Sequence, residues 1–418
     1  LAVGVAANAS FTAAAAGIPT TAVWLRADYH LSNADLGLTL GAMGLGVALS
    51  ELPWGLATDR WGDRPVLLTG LAATALALLC MALFAVPTAG GIPNLHALWI
   101  AMGLVGVLGG SVNGSSGRAV MRWFPEGQRG LAMSIRQTAV PLGGGLGALL
   151  LPSLASNLGF GPVYGLLAGM CTASGVLAWH WLHEPPHASS APEGRHANAP
   201  RVGIFKDRAV WRVVAAIGIL CTPQAAVLSF ATIFLHDYGR AALAGITATM
   251  VAIQLGAMGL RVASGRYTDK RGNREAFLRA NTLVAVAAVA LLAMLVAAGD
   301  AVPKPVLILD VIVAGICASS WHGVAYTELA TLAGRDRAGT ALGMANTAVF
   351  LTFFLTPLLI PHVLGVGSWA WVWGATAACA LAAYPLFPGT RRPAILKAQA
   401  TETAGTQGCL SPSDSRSR

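Results

Sequence analysis

The decapeptide Gly55-Leu56-Ala57-Thr58-Asp59-Arg60-Trp61-Gly62-Asp63-Arg64 returns in outline as Gly265-Arg266-Tyr267-Thr268-Asp269-Lys270-Arg271-Gly272-Asn273-Arg274, 210 residues later. Each copy stands between two long apolar runs, which marks a chain built twice from one plan. Whatever the first half folds into, the second half has to fold into as well.

The solvent for that fold follows from composition. Only 11% of the 418 residues are Asp, Glu, Lys or Arg and 55% are hydrophobic, whereas a soluble globular chain carries about a quarter charged residues. Mean hydropathy is +0.63, so most of the surface is suited to lipid. Apolar stretches of at least ~18 residues, enough to cross about 30 Å of hydrocarbon, fall near 2–25, 36–57, 65–87, 95–121, 129–155, 161–183, 209–236, 243–265, 276–298, 305–331, 338–362 and 368–388. They are rich in Gly and Ala, which lets membrane helices approach closely. The expected fold is an all-α membrane protein of twelve transmembrane helices in two pseudo-symmetric six-helix bundles. The bundles are expected at 1–183 and 209–388, with a Pro- and His-rich linker at 184–208 and a polar, disordered tail at 389–418. The run from Leu1 reads as the first span rather than as a signal peptide.

The formal charge of +9 is informative only through its placement. With the N-terminus cytoplasmic, the loops on that side hold Arg60, Arg64, Arg122, Arg129, Lys206, Arg208, Arg266, Lys270, Arg271, Arg274 and Arg337, among others. The opposite side holds Arg26, Arg240 and Lys304. This is the positive-inside asymmetry, so the basic balance reports topology and contact with anionic lipid, not nucleic acid. It places both termini in the cytoplasm. The six cysteines show no paired spacing, so no disulfide framework, metal site or cofactor is expected.

With two copies of the motif among twelve spans, the chain resembles the major facilitator superfamily over residues 2–388. The resemblance rests on Gly55, Asp59, Arg60, Gly62 and Arg64 in the loop between the second and third spans, echoed at Gly265, Asp269, Lys270, Gly272 and Arg274. It implies a transporter whose two bundles rock about a central cavity lined by spans 1, 4, 7 and 10. Physically, Asp59 and Asp269 stand where a helix leaves the membrane, within reach of Arg64, Arg122 or Arg274 and of the positive N-terminus of a neighbouring helix. The functional reading is a cytoplasmic latch that holds the outward-open state; the plainer reading is a set of solvated turn charges.

Ionisable residues inside the hydrocarbon are costly unless paired or facing a cavity. Glu51, Arg118, Arg136, Arg261 and Glu328 qualify. At ~1.5 Å per residue, Glu51 and Arg261 lie about 12 Å inside the cytosolic edge, and Arg118 and Arg136 about 10 Å. Three arginines and one glutamate are thus expected in one layer, with Glu51 neutralising one arginine. Arg136 is followed by Gln137 and Thr138, donors and acceptors that suit a carboxylate gripped in parallel by a guanidinium. The alternative is an Arg136–Glu51 or Arg118–Glu51 bridge that serves packing alone.

His322 lies deep in the tenth span beside Trp321, with Tyr326 and Glu328 beyond it. It is a candidate proton carrier with Glu51 and Glu328, or a neutral packing residue. Asn113, Gln224 and Trp321 are further candidates for the substrate site, as are Asn8, Thr12, Ser229, Gln254 and Asn346, though any one of these equally suits a helix–helix hydrogen bond. Tryptophans near span ends, including Trp371 and Trp373, read as interfacial anchors, and Asp310 as interfacial.

Absent features narrow the choice. The sequence has no phosphate loop with GK[ST] and no catalytic cluster, so it is not expected to be an enzyme. The segment Val140-Pro141-Leu142-Gly143-Gly144 falls short of the family's proton-antiporter signature, and spans 1 and 4 lack the buried acids that attract cationic drugs. The expectation is a monomeric secondary transporter of the bacterial inner membrane that moves a small organic anion by alternating access with proton coupling. The alternatives are an exporter of neutral or amphipathic compounds and a transporter-like ligand sensor without net flux.

Overall fold

The computed structural model describes residues 1–88, 90–182, 203–334 and 337–388. Most of the expected linker at 184–208 and all of the expected tail at 389–418 lie outside the described residues. Eleven helices among them are long and apolar enough to cross a membrane: α1 (Ala2–Asp28), α2 (Asp35–Trp61), α3 (Asp63–Phe84), α4 (Leu95–Trp123), α5 (Gly127–Leu158), α6 (Phe160–Trp181), α7 (Arg208–Tyr238), α8 (Ala244–Arg271), α9 (Arg274–Ala297), α10 (Lys304–Ala333) and α11 (Ala338–Val366). A twelfth, α12 (Trp369–Ala383), is shorter and runs into a turn at Tyr384–Leu386. The fold is all-α and membrane-spanning, in two pseudo-symmetric bundles.

Each bundle has its own apolar core. One joins Tyr29, Met43, Leu98, Val163 and Tyr164, the other Phe234, Ile253, Val289, Val311 and Trp373. A third core crosses between them, bringing Met121 and Met133 of α4 and α5 against Ile217, Trp321 and Leu342 of α7, α10 and α11. Trp373 is therefore not the interfacial anchor its place near a span end suggests. It is fully buried, edge-on to Phe234 and stacked with Trp369. Asp310, six residues into α10, is buried against its neighbours with Oδ2 unpartnered.

The repeated motif shapes the chain in the same way in both bundles. Gly62 and Gly272, which close α2 and α8, have φ of 94° and 62°, a region that costs any residue with a Cβ. Gly55 and Gly265 serve close approach. A methyl group at Gly55 would lie 2.6 Å from the Gly339 carbonyl, and one at Gly265 would lie 2.7 Å from the Gly130 carbonyl. On the motif-bearing face, α2 therefore packs against α11 and α8 against α5, each contact joining the two bundles.

Candidate functional site

Four of the spans are interrupted near mid-depth, and the breaks place polar groups at the centre. A 3₁₀ turn at Ile18–Thr21 interrupts α1. The first helical run of α4 ends at Gly109, that of α5 at Gln137, and that of α10 at Ser319. In α5 the cause is visible in sequence. Pro141 stands four residues after Gln137 and has no N–H, so the Gln137 carbonyl lacks its ordinary helical donor. Lone carbonyls at membrane depth must find another partner.

That partner is Arg261 of α8. Its Nη1 donates to the Gln137 carbonyl at 2.6 Å and its Nε to the Ser319 carbonyl at 2.6 Å. Its Nη2 stands 3.4 Å from His322 Nδ1. Since guanidinium cannot accept, that contact is a hydrogen bond only with Nδ1 unprotonated. Arg136 of α5 is held in the same manner. Its Nη2 donates to the Asn113 carbonyl and to Ser116 Oγ, both at 2.7 Å; its Nε donates to Ser116 Oγ at 3.1 Å and its Nη1 to Gln137 Oε1 at 3.0 Å. Gln137 thus joins the two arginines, one through its side chain and one through its backbone. Arg136 and Arg261 are 2% and 1% exposed, and all their acceptors are neutral.

Glu51 of α2 completes the centre without an ion pair. Asn113 Nδ2 donates to its Oε1 at 2.5 Å and Asn346 Nδ2 to its Oε2 at 3.1 Å. Tyr326 Oη donates to Asn346 Oδ1 at 2.5 Å, which turns the Asn346 amide nitrogen toward Glu51. The Arg136–Glu51 and Arg118–Glu51 bridges expected from depth are not formed. Amide donors satisfy the carboxylate, and the guanidinium of Arg136 is taken up by Ser116, Gln137 and the Asn113 carbonyl. The centre holds two guanidiniums and one carboxylate.

Arg118 does not join this layer. Its long side chain runs toward the motif-bearing face, where Nε pairs with Asp59 at 2.8 Å and Nη1 with Asp63 at 2.9 Å. The expected Asp59 partners Arg64 and Arg122 are not used. Arg64 instead donates to the Trp179 carbonyl and lies over that ring, and Arg122 is exposed. Asp59 also accepts from the N–H groups of Gly339 (3.1 Å) and Thr340 (2.7 Å) in the first turn of α11. Asp269 does the same across the pseudo-twofold, accepting from Gly130 (3.2 Å) and Leu131 (2.7 Å) near the start of α5 and pairing with Arg274 at 3.2 Å. Each aspartate so ties its own bundle to a helix start of the other.

The profile of the Major Facilitator Superfamily matches residues 3–351. The chain belongs to this superfamily. An uncharacterized MFS-type transporter of Mycobacterium tuberculosis is 34% identical over 379 residues, 88% of this chain and 79% of its own length. "Probable anion transporter 6" of rice, Oryza sativa, is 29% identical over 182 residues, 43% of this chain and 41% of its own. Among solved structures, the human organic anion transporter MFSD10 superposes with a TM-score of 0.74 over 92% of this chain and 98% of its own, at 16% identity. That likeness is one of fold. This MFS protein is a multi-pass membrane transporter of small molecules and not an enzyme.

The remaining candidates fall into three groups. Trp321 is fully buried, donates to the Ala318 carbonyl and stacks on His322 with 3.9 Å between centroids, so it walls the arginine centre. Gln224 is buried on α7 and takes the Cys221 thiol at 3.5 Å. Glu328 is half-buried on α10, six residues past His322, and Asn8 and Thr12 are buried on α1, with Asn8 Nδ2 unpartnered. Gly55, Gly62, Gly265 and Gly272 act through backbone geometry, whereas Arg60 and Lys270 are not needed for the aspartate contacts. Ser116 and Asp63 were not singled out by sequence reasoning. Asp63 stands inside the decapeptide, so the motif itself carried that signal; Ser116 had none.

Proposed function

We propose that this MFS transporter moves a small organic anion across a bacterial inner membrane by alternating access, coupled to protons, with both termini in the cytoplasm. Under this reading 1–183 and 209–388 are the moving units and the motif-bearing face is the cytoplasmic one. The carrying observation is the pair Arg136 and Arg261, enclosed at the centre with only neutral acceptors. An arginine deep in a membrane costs at least about 2.5 kcal/mol, and two of them against a single carboxylate leave a positive centre that an anion neutralises. A carboxylate can displace the present acceptors, because a charge-assisted hydrogen bond is about twice as strong as a neutral one. Partial similarity to a rice protein named as a probable anion transporter agrees with this chemistry.

The test is uptake of labelled lactate, succinate, glucuronate, glucose and a cationic dye into proteoliposomes, with Arg136→Ala and Arg136→Lys beside the wild type. Saturable uptake of at least one anion is expected, abolished in Arg136→Ala. In Arg136→Lys, kcat/KM should fall about 30-fold or more, since an ammonium cannot reproduce the planar fork. Unchanged melting temperature separates this loss from misfolding. Uptake of glucose or dye, indifferent to Arg136, would return the arginines to packing and leave an exporter of neutral or amphipathic compounds. Binding without flux would leave a sensor.

A further inference from the structure

We infer that Glu51 and Arg261 form a coupling device: they occupy equivalent positions of the internal repeat with opposite charge, and each clasps the opposite bundle, one contact released by a proton and the other by an anion. The inference rests on the anion-transport reading above and adds to it how the two ligands are tied together.

The equivalence is geometric. Glu51 lies eight residues before Asp59, and Arg261 eight before Asp269. Gly130 and Gly339 are the matched backbone donors to those aspartates; seven residues beyond them stand Gln137 and Asn346. These two are the cross-bundle partners. Glu51 reaches Asn346 of α11, and Arg261 reaches Gln137 of α5. Within its own bundle, Glu51 holds Asn113 of α4, and Arg261 holds Ser319 and His322 of α10. The same pair of contacts is therefore built twice, once with the charged group accepting and once with it donating.

Opposite sign makes the two clasps answer to different ligands. Adding a proton to the Glu51 carboxylate removes its charge, and the bond from Asn346 falls from charge-assisted to neutral strength. A proton does nothing to Arg261, which is already fully protonated. An anion beside Arg261 outcompetes the Gln137 carbonyl, but it gains nothing from Glu51, whose like charge repels it. The ionisable groups facing Glu51 are Arg136 from α5 and Tyr326 from α10; α4 and α11 present the amides of Asn113 and Asn346. Arg136, set between the acid and the second arginine, lets each ligand favour the other: the proton removes repulsion from the incoming anion. Both clasps open together only when both ligands are aboard, which yields symport.

The experiment compares wild type with Glu51→Gln and Asn346→Ala in proteoliposomes, using labelled lactate, succinate and glucuronate. Each anion is followed in counterflow exchange and in accumulation driven by an imposed pH gradient. Glu51→Gln is a permanently uncharged mimic of the protonated acid. It should keep exchange while losing at least about fivefold of its gradient-driven accumulation, the lower end of measured coupling. Glu51→Asp, still titratable, should keep part of it. Asn346→Ala opens the Glu51 clasp without a proton, so an anion alone then frees both bundles: the labelled anion should run down its own gradient without proton uptake, and gradient-driven accumulation should fall. Accumulation by Glu51→Gln at the wild-type level overturns the inference and leaves anion transport standing. So does loss of exchange in a Glu51→Gln protein that melts normally, or gradient-driven accumulation at the wild-type level in Asn346→Ala. A wild type that moves none of the three anions is the failure of the transport reading itself.

Discussion

Asp59 and Asp269 perform the same task with different support. Asp59 shares Arg118 with Asp63 and accepts from two backbone N–H groups and the Thr340 hydroxyl. Asp269 has two backbone donors and Arg274 from its own loop. An Asn at position 59 turns an NH₂ toward one of those donors and leaves Arg118 with Asp63 alone. Asp59→Asn is expected to weaken contact between the bundles on this face by about 2–3 kcal/mol, and Asp269→Asn by about 1–2 kcal/mol. Spin-label distances across the face would read the difference as a larger open population in the first variant; equal shifts would mean that Arg118 adds nothing to the latch. The aspartates and their helix-start contacts were legible in sequence because the motif repeats and carboxylates suit positive helix ends. Arg118 was misplaced because depth was counted at the Cα, whereas its guanidinium lies several bonds away.

At the scale of the element, α5 shows how a helix defect becomes a binding group. Without Pro141 the Gln137 carbonyl would take the N–H of residue 141, and Arg261 would have to share it. Pro141→Ala is expected to raise the melting temperature, because an interior proline costs a helix about 3 kcal/mol. The same change should lower anion uptake several-fold by loosening Arg261, and this opposite movement of stability and activity is the signature to measure. A fall in both would mark Pro141 as needed for packing only. The proline was visible in sequence, but its use was not, since the arginine that needs the carbonyl lies 124 residues away. The break in α10 at Ser319 carries neither Gly nor Pro at the site itself, and no local pattern announced it.

For the molecule as a whole, the internal repeat made the bundle architecture legible: equal spacing within equivalent helices survives folding, so the matched depths of Glu51 and Arg261 followed from counting. Contacts between bundles did not follow, because they depend on which faces of α2, α5, α8 and α11 meet, and glycine alone does not state its partner. The sequence-based expectation of a Glu51 ion pair failed for the same reason: amides from α4 and α11 arrive first. With Glu51 as its carboxylate, one positive charge is left uncompensated at the centre, and it has an electrical consequence. If a proton and a monoanion enter together, that charge is the same in the loaded and the empty carrier. Every passage through the membrane field is then undone by the return passage, and membrane voltage performs no net work on lactate uptake. A dianion with one proton carries a net negative charge inward, which an interior-negative potential opposes by about 2.3 kcal/mol per 100 mV. Imposing a potassium diffusion potential should therefore leave lactate accumulation unchanged and depress that of succinate, so that voltage sorts anions by their valence at a site that grips their carboxylates alike.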